Sequence, residues 1–270
     1  MRKAETVLFF IGMGLSGLKS CTLETLDVLK RIDEVFIENY TNFIPEEIPP
    51  LLEQIKSKMT ILSRRDLEDD DQLFLKRIEG KSIAILIPGD PFIATTHNSL
   101  RIAAIQRGFK CRIIHNSSII TAAASVSGLS AYRFGRTVTC PFPHNPSEFP
   151  YEVINLNKQI GAHTLVLLDI DLSTGEFLTV NEAIFILLKL EDKRKEAIFT
   201  KTDLVIGLAR IGTEKEVVSA GAADEVATLD WRRIGPPQAL IVCAESLHFA
   251  EEETVNTLWK GPLSNQGEDE

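Results

Sequence analysis

The chain has 270 residues, 44% of them hydrophobic and 25% charged, which suits one large or two modest folded domains and excludes a disordered chain. Its 38 acidic residues outnumber 29 basic ones, and the net charge of −9 opposes a phosphate backbone, so nucleic acid is not an expected partner. Cys21, Cys111, Cys140 and Cys243 have no C-x-x-C spacing and sit in or beside apolar stretches, so they read as buried thiols.

In chain order, the short apolar runs Val7 to Ile11, Glu34 to Ile37, Met59 to Leu62, Ile83 to Ile87 and Cys111 to Ile114 alternate with amphipathic helical patterns. That alternation predicts a parallel α/β sheet. Between the first two runs, Leu23, Leu26, Leu29 and Ile32 are expected on one helical face, with Thr22 as N-cap and Glu24 in the first turn. Pro49 and Pro50 suit the start of the next helix. A polar turn, His115 to Ser118, precedes a small-residue helical stretch, Thr121 to Leu129, and the texture then changes. The expected domains are therefore 1–114 and 115–270. Downstream, Thr137 to Cys140, Thr164 to Leu168, Leu204 to Leu208, Glu216 to Ser219 and Ala239 to Val242 read as strands of a mixed second half. The longest helix is expected to begin at Thr179, with Glu182 completing a capping box and Ala183, Ile186 and Leu187 on the apolar face. No apolar stretch nears the roughly 20 residues needed to cross a bilayer, and no signal-like segment is seen. A cytoplasmic protein is expected.

Three segments follow strand ends, where open α/β sheets bind ligands. Gly12-Met13-Gly14-Leu15-Ser16-Gly17 matches G-x-G-x-x-G, with Glu38 at the end of the second strand. Two readings stand for it: a ligand cradle, or a strand-to-helix turn that needs positive φ. Against a dinucleotide site, Leu18 to Cys21 intervene before the helix cap. Pro88-Gly89-Asp90-Pro91-Phe92-Ile93-Ala94-Thr95-Thr96-His97 is the most informative segment. It offers hydroxyls and an imidazole at the mouth of the next helix, or else Asp90 with Thr95 or Thr96 merely caps that helix. His115-Asn116-Ser117-Ser118-Ile119 either holds a ligand edge or caps a helix through Ser117 or Ser118, and capping is the favoured reading. His163 and His248 lack a second ligand at metal spacing, so both read as structural and no metal site is expected. Catalytic serine-triad, phosphate-loop and zinc-protease motifs are absent from the sequence.

Taken together, Ile11-Gly12-Met13-Gly14-Leu15, Glu38-Asn39-Tyr40-Thr41, Gly89 to His97, Ile114 to Ile119, Phe134-Gly135-Arg136-Thr137-Val138, His163-Thr164-Leu165, Leu167-Leu168-Asp169-Ile170 and Leu208-Ala209-Arg210-Ile211-Gly212 resemble the diphthine synthase family. The G-D-P-x-x-A-T-T-H string is specific to that branch; the G-x-G and G-D-P elements alone resemble the wider tetrapyrrole methylase superfamily. The ungapped passage from Asp169 to Thr179 is closer to the short archaeal form. The resemblance implies a two-domain α/β class III methyltransferase, with a parallel-rich N-terminal sheet and a mixed C-terminal one. It implies a homodimer using S-adenosylmethionine to N-methylate a 3-amino-3-carboxypropyl histidine on translation elongation factor 2, giving diphthine. By similarity Leu15, Asp90, Ile93, Ser118, Ile119, Leu168 and Ile211 line the cofactor. Gln238 joins them; it stands after Gly235-Pro236-Pro237 where the family often has His, and it can replace a hydrogen bond but not a titratable charge. No general base is singled out. The alternatives are a tetrapyrrole C-methyltransferase, which the A-T-T-H string and acidic balance count against, and, from other classes, an NAD-binding oxidoreductase or a non-catalytic binding module.

Overall fold

The computed structural model describes residues 5–40 and 59–259. The chain divides into two compact units, Met1–Ile119 with Asp171–Thr174, and Ile120–Ile170 with Gly175–Glu270. The expected boundary lies after Ile114, the division after Ile119. Pro49 and Pro50 lie outside the described residues.

In the first unit, β1 (Val7–Gly12), β2 (Glu34–Glu38), β3 (Met59–Leu62), β4 (Ser82–Ile87) and β5 (Lys110–Ile114) form one parallel sheet in the order β3-β2-β4-β1-β5. Both faces are apolar because successive side chains point to opposite sides. Leu8, Phe10, Ile83, Ile85 and Ile87 pack on one side, and Ile11, Val35, Ala84 and Leu86 on the other. Full burial of each large side chain stabilises the unit by about 1.5–3 kcal/mol. The helices are α1 (Leu23–Leu29), α2 (Asp71–Arg77) and α3 (Asn98–Gln106). The Thr22 hydroxyl caps α1, accepting from Thr25 N–H at 3.1 Å. Leu29 and Ile32 are buried, but Leu23 is 81% exposed. The expected stripe fails there because a spacing of three drifts about 60° per step around a helix of 3.6 residues per turn.

In the second unit, β6 (Val138–Cys140), β7 (Thr164–Leu168), β10 (Leu204–Ala209), β11 (Val217–Ala222) and β12 (Gln238–Val242) run in the order β11-β10-β12-β7-β6. All neighbours are antiparallel except β6 and β7. A two-stranded ribbon pairs β8 (Ile170–Asp171) with β9 (Glu176–Phe177). The helices are α4 (Ile119–Ser127), which begins at the division, α5 (Phe149–Gln159), α6 (Val180–Arg194), α7 (Ala223–Val226), α8 (Trp231–Ile234) and α9 (Phe249–Leu258). At the start of α6, the Thr179 N–H and hydroxyl both donate to the Glu182 carboxylate, at 2.8 and 2.6 Å. Its inner face is Val180, Ala183, Ile184 and Leu187, with Ile186 at the margin. Trp231 fills the core, its Nε1 donating to Val226 O at 2.8 Å, and its ring occupies the space a side chain at Gly207 would take.

Cys140 and Cys243 are buried and Cys21 and Cys111 only half-buried. Burial pushes the Cys21 thiol up to about 11 and those of Cys140 and Cys243 up to about 12. Among the described residues no helix is long and apolar enough to cross a membrane.

Candidate functional site

In the first unit the turns after β1, β4 and β5 are stitched together. Met13 N–H donates to Ile87 O at 2.8 Å, and Gly14 and Gly89 exchange backbone bonds at 3.1 and 3.0 Å. A Cβ on Gly12 would stand 2.6 Å from Gly89 O, and Gly14 adopts φ +67°. The glycines therefore let the first turn approach the protein's own second turn. The chain then makes a 3₁₀ turn, Gly17–Ser20, before Thr22 caps α1. The motif does not open into a helix N-terminus, so the dipole and free N–H groups of a pyrophosphate site are not there. Glu38, the ribose ligand of a dinucleotide reading, is fully buried and accepts from Tyr40 N–H at 2.6 Å.

Asp90 links the second turn to the third. One carboxylate oxygen accepts from Phe92 N–H at 3.1 Å; the other is 2.8 Å from His115 Nδ1 and accepts from Asn116 N–H at 3.4 Å. Since a carboxylate only accepts, His115 Nδ1 carries the hydrogen. Asn116 closes the set: its Nδ2 donates to Gly12 O and Ser20 O, both at 3.0 Å, and its Oδ1 accepts from Ser117 N–H at 2.8 Å. Leu15 follows Gly14, Asp90 follows Gly89, and Ser118 and Ile119 follow the Asn116 turn, so four of the sequence candidates lie on three joined turns. Ile93 returns toward Asp90, its N–H donating to Asp90 O at 3.4 Å, with the side chain 44% exposed. Asp90 and Ser118 are each 6% exposed.

The Thr-Thr-His run behaves differently from both readings made of it. Thr95 donates to Pro91 O at 2.8 Å and Thr96 to Glu68 Oε1 at 2.6 Å, so neither they nor Asp90 caps α3. His97 turns into the core, 2% exposed, with Nε2 3.5 Å from Tyr40 Oη and 3.9 Å from Glu38 Oε2. Burial lowers its pKa against the opposing pull of Glu38. The imidazole anchors the loop rather than standing at its mouth, because packing beside Tyr40 and Glu38 holds it inside.

In the second unit Leu168 ends β7, Gln238 opens β12 and Ile211 follows β10. The registers Ala209↔Gln238 and Ala239↔Leu167 bring these three positions to one end of the sheet. Leu168 and Ile211 are buried apolar side chains. The Gln238 amide is engaged within the unit: Oε1 accepts from Val180 N–H at 2.9 Å, and Nε2 donates to Trp231 O at 2.6 Å and Gly235 O at 3.0 Å. Both of its N–H groups are thereby used.

His115 and Asn116 belong to the third candidate segment but not to the cofactor-lining set that the resemblance implies, and the structure uses both to join the turns. His163 is a buried link, Nδ1 accepting from Ala244 N–H at 3.0 Å and Nε2 3.3 Å from Glu251 Oε1. His248 starts α9, accepting from Ala250 N–H at 3.4 Å. Among the described residues no three His, Cys, Asp or Glu side chains cluster as a metal site would need.

The model of the tetrapyrrole (corrin/porphyrin) methylases matches residues 7–227. Diphthine synthase of Methanosphaera stadtmanae is 39% identical over 255 residues, covering 93% of this chain and 95% of its own. The chain belongs to the diphthine synthase family. Another diphthine synthase, from Methanopyrus kandleri, is 39% identical over 254 residues, covering 92% of this chain and 94% of its own. A crystal structure of diphthine synthase superposes with a TM-score of 0.83 at 33% identity, covering 95% of this chain and 97% of that one. As a member of the diphthine synthase family the chain is a methyltransferase. Near-complete matches to diphthine synthases favour that branch over a tetrapyrrole C-methyltransferase, and the family together with the closed Gly12 turn removes the dinucleotide reading.

Proposed function

We propose that this chain uses S-adenosylmethionine to N-methylate the 3-amino-3-carboxypropyl group on a histidine of translation elongation factor 2, giving diphthine. The observation that carries the reading is the 39% identity to a diphthine synthase across nearly the full length of both chains. When bound, the cofactor supplies a methyl group activated by its attachment to sulfonium.

The residues present fit such a cofactor. Gly89, at φ +71°, leaves open space where a Cβ would be, with Ser117 O the nearest atom at 3.9 Å, so a ligand can approach the backbone there. Beside it Asp90 offers a carboxylate suited to a sulfonium or an α-ammonium, and in the same unit Leu15 and Ile93 offer apolar surface for an adenosyl group. In the second unit Leu168 and Ile211 are the apolar side chains that the family resemblance assigns to the cofactor. Ser118 and Ile119 supply the start of α4. Gln238 belongs to the set through the β12 terminus that its amide holds in place. Alignment of a neutral amine and exclusion of water account for the acceleration without a dedicated base.

The family resemblance supports a homodimer in the cytoplasm; light scattering at micromolar concentration tests the first part, with a single-chain mass counting against it. The deciding experiment is mass spectrometry of elongation factor 2 carrying the aminocarboxypropyl histidine, after incubation with the chain and S-adenosylmethionine. Methyl-sized steps confined to that peptide are expected. An unchanged mass, with cofactor binding demonstrated, would return the tetrapyrrole reading.

A further inference from the structure

Arg210 carries a charge that no carboxylate among the described residues answers. It sits just past β10, between Ala209, 1% exposed, and Ile211, 7% exposed. Its backbone is held in the left-handed region at φ +52°, a costly conformation for a side chain of this kind. Three bonds hold it there: Arg210 N–H donates to Pro237 O at 2.9 Å, and Arg210 O accepts from Thr213 N–H at 3.1 Å and from the Thr213 hydroxyl at 2.8 Å.

The guanidinium has no comparable support. Its Nε is buried without a hydrogen-bond partner, and among the described residues it forms no ion pair in a chain of net charge −9. Glu216, six residues further on, turns one carboxylate oxygen to Gly212 N–H at 2.9 Å and forms no ion pair with Arg210. By contrast Arg133, Arg194 and Arg232 each meet a carboxylate. A buried donor without an acceptor is expensive, and a guanidinium fork matches a carboxylate in geometry and charge. Arg210 also adjoins the sheet end that bears Leu168, Ile211 and Gln238, through the register Ala209↔Gln238.

We propose that Arg210 receives the carboxylate of an α-amino-acid arm at the methyl-transfer site. The inference rests on the function proposed above, in which that arm occurs twice: on the methionyl end of the cofactor and on the aminocarboxypropyl histidine. Both present the same chemistry, and the experiment separates them.

The full-length chain and its Arg210→Gln and Arg210→Lys variants are titrated calorimetrically with S-adenosylhomocysteine and with 5′-methylthioadenosine, which lacks the amino-carboxylate arm. If the cofactor is the source, Arg210→Gln weakens S-adenosylhomocysteine on the order of 10- to 100-fold and leaves methylthioadenosine unchanged. If the substrate is the source, both nucleoside affinities stay as in the parent and KM for the modified elongation factor rises by a similar factor. Arg210→Lys, which keeps the charge but loses the fork, falls between parent and Arg210→Gln, and it carries the same comparison should the Gln variant fail to fold. Equal weakening of both nucleosides would make Arg210 merely structural and overturn the proposal, as would unchanged affinities together with an unchanged KM. A parent chain that neither binds S-adenosylhomocysteine nor transfers methyl would instead overturn the proposed function itself.

Discussion

Asp90 spends one carboxylate oxygen on its own turn and the other on the turn after β5. Asp90→Ala removes both supports and the anion, so cofactor affinity should fall on the order of 10-fold by calorimetry; an affinity equal to the parent's would take Asp90 out of the site. Gly12 makes a different demand. Its φ is unexceptional, so only space matters: a Cβ there would stand 2.6 Å from Gly89 O and 3.0 Å from Asn116 Cβ. Gly12→Ala should destabilise the chain by about 1–3 kcal/mol, read as a lower urea midpoint. A parental midpoint would mean that the joined turns yield without cost. The need for glycine at these positions was legible in the G-x-G spacing. What the glycines approach was not, since Gly89 and Asn116 arrive from distant parts of the chain.

At the scale of elements, α6 has one end that the sequence reveals and one that it hides. Thr179 and Glu182 stand three residues apart, and the bonds between them follow from helical geometry. At the other end Glu191 accepts from the Tyr151 hydroxyl at 2.7 Å and from the N–H groups of Ala197, Ile198 and Phe199 at 2.7, 2.8 and 3.1 Å. That clamp depends on left-handed turns at Lys195 and Ala197, which no glycine advertises. Burial opposes ionisation of Glu191, yet these four donors outweigh it and hold the carboxyl down to about 2. A depressed carboxyl contributes stability that is present above its ordinary value of 4.5 and is lost as pH falls toward about 2. Glu191→Gln should cost about 1–3 kcal/mol at neutral pH, and denaturation across that acid window should show a flatter pH dependence than in the parent. An equally steep dependence would assign the acid loss to other groups.

For the molecule as a whole, each unit buries one histidine whose pKa is lowered chiefly by desolvation: His97 in the first, His163 in the second. The unfolded chain takes up these protons near the ordinary value of 6.5 while the folded chain still refuses them. Stability is therefore full above that value and falls as the medium becomes more acid. The urea midpoint should drop between about pH 7.5 and about pH 5.5, and His163→Gln, which retains an acceptor for Ala244 N–H, should drop less. A parallel fall in both proteins would exonerate His163. By itself the sequence determined the class of the fold and the positions of the strands in its two larger sheets, though not the short β8–β9 ribbon, because apolar runs and turn residues are local signals carried by neighbouring residues. The specific A-T-T-H string also carried the family. The tertiary structure decided the use of particular side chains: His97 is inside, the Gln238 amide is bonded within its own unit, and Arg210 meets no carboxylate among the described residues. Each of those outcomes depends on partners brought close by sheet register and packing, which join residues far apart along the chain and leave no mark in the residues beside them.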